Sequence, residues 1–116
     1  MSLRLQNIFT DLPDARRPED FLTLLENAAV KIERIVSNSH STPTGFWYDQ
    51  DEIEWVIVMC GTALLEFEGG KVIEMKEGDY LTIPRRVKHR VARTGAETVW
   101  LAVHVRDTKV GERKSE

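Results

Sequence analysis

From Val30 to Arg106 the chain is a succession of short runs rich in β-branched and aromatic residues, with no gap long enough for a helix. The runs are VKIERIVSN, GFWYDQ, IEWVIVMC, TALLEFEGG, KVIEMKEG, DYLTIP, KHRVAR and TVWLAVHVR. Between them lie STPTG, CG, GG, EGD, PRR and RTGAE, segments whose glycine, proline and polar content marks turns. Parallel neighbours would need crossovers of about a dozen residues or more, so the sheet has to be mainly antiparallel. The 116 residues suit one domain with a modest core. About eight short strands in a domain of that size imply an all-β fold, an antiparallel sandwich or barrel of the jelly-roll type.

The beginning of the chain reads differently. In RRPEDFLTLLEN, Pro18 suits a first helical turn and Glu19 and Asp20 favour the positive end of a helix dipole. Phe21, Leu24 and Leu25 then fall on one helical face. A short N-terminal helix, packed as a lid or brace, is the expectation. The chain so divides into an N-terminal segment, 1–29, a barrel, 30–106, and a charged tail, 107–116, with little to bury and a tendency to fray.

Several function classes are set aside by composition. A formal charge of −3, with basic residues interspersed among acidic ones, gives no nucleic-acid footprint. No apolar run is long enough to span a membrane, and MSLRLQNIFTDLPD lacks the apolar core of a signal peptide. Cys60 is the single cysteine and has no internal partner, which favours a reducing compartment, the cytoplasm.

Two residues stand out chemically. Glu54 interrupts the apolar run IEWVIV, where a carboxylate is costly unless paired, hydrogen-bonded or bound to a metal. His89 follows Pro84 in GDYLTIPRRVKHRV; proline cannot donate to a strand ladder and marks a strand end or bulge before the chain re-enters the sheet. Gly78, Pro84 and His89 fall at the spacing G-x5-P-x-G-x2-H-x3-N, with Arg86 and Arg93 in place of the glycine and the asparagine. Glu54 and Gly61 fit the end of a second pattern, G-x5-H-x-H-x(3,4)-E-x6-G.

These two patterns are the signature of the cupins, small jelly-roll β-barrels, and the resemblance spans roughly Val30 to Val105. It implies that Glu54 and His89 are metal ligands facing a central cavity. The first half departs from the family: Tyr48 and Gln50 stand where the paired histidines belong, and Thr42 replaces the leading glycine. Gln50 can substitute through its amide oxygen. Tyr48 is a candidate acid or hydrogen-bond donor, or a ligand as its phenolate. One imidazole and two oxygen donors suit zinc, nickel or manganese, held less tightly than by three imidazoles.

Geometry adds a condition independent of the family. Residues four apart on a straight strand lie about 13 Å apart. For Gln50 and Glu54 to share a site, the chain must bend at DQDE, where Asp49, Asp51 and Glu52 suit a turn. His104, on the same strand face as Trp100 and Ala102, is either a residue of the barrel wall or a partner of His89 or Glu54. His40 falls in a turn and is expected to be exposed. Trp47, beside Tyr48, is the tryptophan expected at the cavity, and Cys60 is a small residue at a corner. The run from Arg85 to Arg93 reads as a solvated face from which one or two arginines reach the barrel mouth.

Three functions fit. The first is a metal-assisted isomerase, epimerase or lyase acting on a small polar or carboxylate-bearing metabolite, with Tyr48 and Glu54 moving protons. The second is a barrel that binds a small molecule without metal or turnover. The third, a purely structural barrel, leaves Glu54 unexplained. An open sheet edge has to be covered somehow, so a homodimer is the expected assembly.

Overall fold

In the computed structural model, which describes residues 3–14 and 19–106, eight antiparallel strands form two facing sheets. The strands are β1 (Glu19–Glu26), β2 (Val30–Ser37), β3 (Ile53–Cys60), β4 (Thr62–Phe67), β5 (Val72–Lys76), β6 (Tyr80–Ile83), β7 (His89–Thr94) and β8 (Thr98–Val105). One sheet has the order β1-β2-β8-β3-β6 and the other β5-β4-β7. Alternation dictates which side chains turn inward. In β3, Glu54, Val56 and Val58 are buried while their neighbours are half-exposed; in β8 the inward set includes Trp100, Ala102 and His104. Facing them from the smaller sheet are Ala63, Leu65, Met75 and Val91, and together these apolar residues form the core.

The N-terminal helix is replaced by a strand. Residues 19–26 are β1, paired with β2 from Glu19↔Ser37 to Glu26↔Lys31. Arg16 to Pro18, the start of the expected helix, lie outside the described residues, as does the tail 107–116. Two physical causes favour the strand. The turn after β1 is tied by Asn27, whose Oδ1 accepts from the backbone N–H of Ala29 and Val30, a short hairpin connection rather than a helix end. The edge of β2 supplies backbone partners along the whole segment, a tertiary term that outweighs the weak helical preference of FLTLL. Asn27 was the readable signal. Residues 19–26 therefore belong to the large sheet and are not a helical brace.

Segment 3–14 crosses the outer side of β2, where the buried Arg34 donates from Nη1 to the carbonyls of Ile8 and Thr10. GFWYDQ is also not a regular strand. Only Tyr48 pairs, through a single bridge to His89, and Gly45 opens the segment at φ +87°. Thr42, where the family has glycine, is buried and joins this loop to β7: its N–H donates to the Val91 carbonyl and its Oγ1 accepts from the Val91 N–H.

Candidate functional site

The cavity lies between the sheets at the end where the inward positions turn from aliphatic to polar. The cavity and its open mouth hold about 560 Å³ of empty space. Tyr48, Gln50, Glu54 and His89 all line it. The chain bends at Asp51 and Glu52, and this lets Gln50 and Glu54 face the same space. His89 is set by the Tyr48 bridge, in which the Tyr48 N–H donates to the His89 carbonyl at 2.7 Å and the His89 N–H returns to Tyr48 at 3.1 Å.

His89 and Glu54 are both buried, and His89 Nε2 lies 3.5 Å from Glu54 Oε1. On the other side of the ring, Nδ1 is 2.9 Å from the Val87 carbonyl. A carbonyl only accepts, so Nδ1 carries a proton and Nε2 is left facing a carboxylate. Burial alone would lower the pKa of His89, but Glu54 and the Val87 carbonyl outweigh it, and the net direction is up. The Tyr48 ring stacks on the imidazole, with 5.6 Å between centroids. Burial first, then the charges of Glu19 and Glu54, raise the Tyr48 phenol, so it stays protonated and able to donate.

A second imidazole–carboxylate group occupies the same cavity. His104 and Glu33 line it, and His104 Nε2 is 3.0 Å from Glu33 Oε1. His104 Nδ1 is 3.0 Å from Glu52 Oε1, but misaligned for a hydrogen bond. The hydrogen bond from His104 lowers the pKa of Glu33 despite its burial; burial opposes protonation of His104, and the surrounding carboxylates Glu33, Glu54 and Glu52 raise it. The register explains the grouping, since Glu54 and His104 are direct partners across β3 and β8.

Sequence reasoning missed Glu19 and Glu33. Glu19 reaches the cavity from β1, and burial, then the charge of Glu33, push its carboxyl up to about 7. His40 is not exposed as expected. Its side chain is 13 % exposed, with Nε2 3.3 Å from Glu19 Oε1, and burial lowers its pKa. Its backbone is tied to Thr94 on both sides. The signal for Glu33 was the alternation Glu33–Ile35–Ser37 in β2. For Glu19 there was none, because its position depends on β1 being a strand.

Trp47 is not among the cavity residues, and Trp100 is. Cys60 is half-buried at the end of β3 with a free thiol. The basic run is tied to surface carboxylates: Arg86 to Asp49, Lys88 to Glu68 and Arg90 to Glu66. Arg86 holds φ +63°, which explains why the family pattern has glycine there.

As a metal centre the donor set is incomplete. Among the described residues no group of three or more histidine, cysteine, aspartate or glutamate side chains is arranged to hold an ion. His89 and Glu54 form a pair, and the third candidate, Gln50, offers a buried Oε1 without a partner among the described residues.

Comparison with known proteins agrees with the fold. The family model for the Cupin domain matches residues 39–104. A solved structure of a proposed mannose-6-phosphate isomerase from Ralstonia eutropha JMP134 is 44 % identical, with a TM-score of 0.85 over 90 % of this chain and 100 % of that one. A conserved protein of unknown function from Streptococcus pyogenes shares the fold at 13 % identity and a TM-score of 0.74, over 92 % of this chain and 90 % of that one. An RmlC-like cupin from Shewanella frigidimarina NCIMB 400 does so at 13 % identity and a TM-score of 0.66, over 79 % of each chain. No curated protein is a significant match. With the barrel, the spacing of Gly78, Pro84 and His89, and the match across residues 39–104 in agreement, the chain is a member of the cupin family.

Proposed function

We propose that this cupin binds a small polar metabolite and moves a proton on it, in chemistry of the isomerase, epimerase or lyase type. The observation that carries the reading is the buried contact of Glu54 with His89 inside a cavity open to solvent. Glu54 takes a proton from the carbon beside a carbonyl, the Tyr48 phenol donates to the oxygen on which charge develops, and His89 returns a proton. The 44 % identical relative, itself a proposed isomerase, supports the reaction class.

The test is solvent-deuterium exchange, followed by NMR, on a panel of small hydroxycarbonyl compounds with and without phosphate. Wild type incorporates deuterium beside the carbonyl, and Glu54→Gln does not. Binding without exchange would favour the non-catalytic barrel, and absence of binding across the panel would refute both.

A second reading places a divalent ion at the same point, favoured by the unpartnered Gln50 Oε1. His89, Glu54 and Gln50 would hold zinc, nickel or manganese with water completing the shell, and the ion would polarise a carbonyl oxygen. The lone thiol of Cys60 supports work in a reducing compartment, the cytoplasm. A homodimer is supported by β1, an edge strand whose Phe21, Leu22, Leu24 and Leu25 are all 45 to 55 % exposed. A monomer mass in sedimentation would refute it.

A further inference from the structure

Resting on the reading of this cavity as a small-molecule site, we propose that its ligand is an uncharged polyhydroxy compound, a free sugar or polyol, and that phosphate esters are discriminated against. Carboxyl groups reach the cavity from three strands of the large sheet: Glu19 on β1, Glu33 on β2 and Glu54 on β3. The imidazoles that face them are already engaged, His89 with Glu54 and His104 with Glu33 and Glu52. Carboxylate oxygens already lie within 3.0 to 3.5 Å of these ring nitrogens, so neither imidazole is left facing the cavity without an acidic neighbour.

A separate observation points to a ligand with donors. Gln50 Oε1 is buried in the cavity wall without a partner among the described residues. A buried acceptor of this kind is costly until something donates to it. The wall thus offers acceptors on Glu33, Glu54 and Gln50, and donors on the Tyr48 phenol and on Glu19 while it is protonated. A hydroxyl group both donates and accepts, so a polyol satisfies both sets at once. The same cavity is lined by apolar side chains, Ile35, Val56, Leu65 and Trp100 among them, which suit the C–H face of a sugar.

A phosphate dianion has the opposite chemistry. It brings only acceptors and two further negative charges into a space that three carboxyl groups share. Four arginines are tied to other groups, Arg34 to the carbonyls of Ile8 and Thr10, Arg86 to Asp49, Arg90 to Glu66 and Thr42, and Arg106 to Glu26, while Lys31 lies 3.6 Å from Glu33 Oε2 and is already paired with that carboxylate. Among the described residues no lysine or arginine lines the cavity. The elevated pKa of Glu19, set by burial and Glu33, agrees with a cavity that already resists added negative charge.

The experiment is calorimetric titration of the full chain, at neutral pH, with free aldoses, ketoses and polyols of five and six carbons, each beside its phosphate ester. Mannose with mannose 6-phosphate and fructose with fructose 6-phosphate are included. The free compounds should contain at least one binder, with its ester at least about tenfold weaker. Glu19→Gln, which removes one carboxyl group, should narrow that gap. An ester that binds as tightly as its parent or tighter would overturn the preference while leaving the small-molecule cavity intact. If neither free nor phosphorylated compounds bind, the cavity reading falls and this inference with it.

Discussion

Glu19 makes the fold sensitive to pH in a way that can be measured without knowing any ligand. Burial and the neighbouring Glu33 push its carboxyl from the ordinary 4.5 up to about 7. Between those values the folded chain holds a proton that the unfolded chain has released, so stability falls as pH rises through this window and is level on either side. At 1.36 kcal/mol per pH unit the change amounts to roughly 3.4 kcal/mol. The Glu19 side chain is 17 % exposed and beside His40, and solvent screening reduces the expected effect to about 2 kcal/mol. Glu19→Gln removes the titration while keeping shape and polarity. Urea unfolding of both proteins at about pH 4 and about pH 8.5 should give closely matched stabilities at the lower pH, and a variant about 2 kcal/mol more stable at the higher one. His89 and His104 are also raised and lose stability in the same direction as pH rises, but they are common to both proteins and cancel in the difference. Equal pH slopes for wild type and Glu19→Gln would refute the placement of Glu19 in a desolvated, acid-flanked cavity.

Two more outcomes follow from the geometry. If a divalent ion uses His89, Glu54 and Gln50, zinc, nickel or manganese should raise the melting temperature of wild type, and His89→Ala and Glu54→Ala should each abolish the rise; no rise with any of the three would retire the ion. Gly61→Ala should destabilise by about 2–4 kcal/mol, because φ is +94° and the new Cβ would lie 2.7 Å from Thr98 Cα. Gly78→Ala, at φ +88° with nothing within 4 Å, should cost only the backbone term of about 1–2 kcal/mol in urea unfolding, and equal losses at both positions would contradict the close approach at Gly61.

The all-β antiparallel fold and seven of the strand positions are legible in the sequence because both are local: a period of two fixes the buried face, and glycine and proline fix the breaks. Glu54 and His89 are legible for a related reason. A carboxylate inside IEWVIV and a histidine at a set distance after Gly78 and Pro84 are anomalies that need no partner to be noticed. Residues 19–26 were decided only in three dimensions. FLTLL fits a helix face as well as a strand, and it is the unfilled edge of β2, together with the Asn27 turn, that selects the strand. Everything that hangs on that strand was hidden with it: Glu19 in the cavity, His40 against Glu19, and the exposed edge. The Glu33–His104 contact spans 71 residues of chain, and which of the two readings of His104 holds depends on the β2–β8 register. The local alternation restricts that register to steps of two residues, and only the pairing of strands far apart in the chain selects among them.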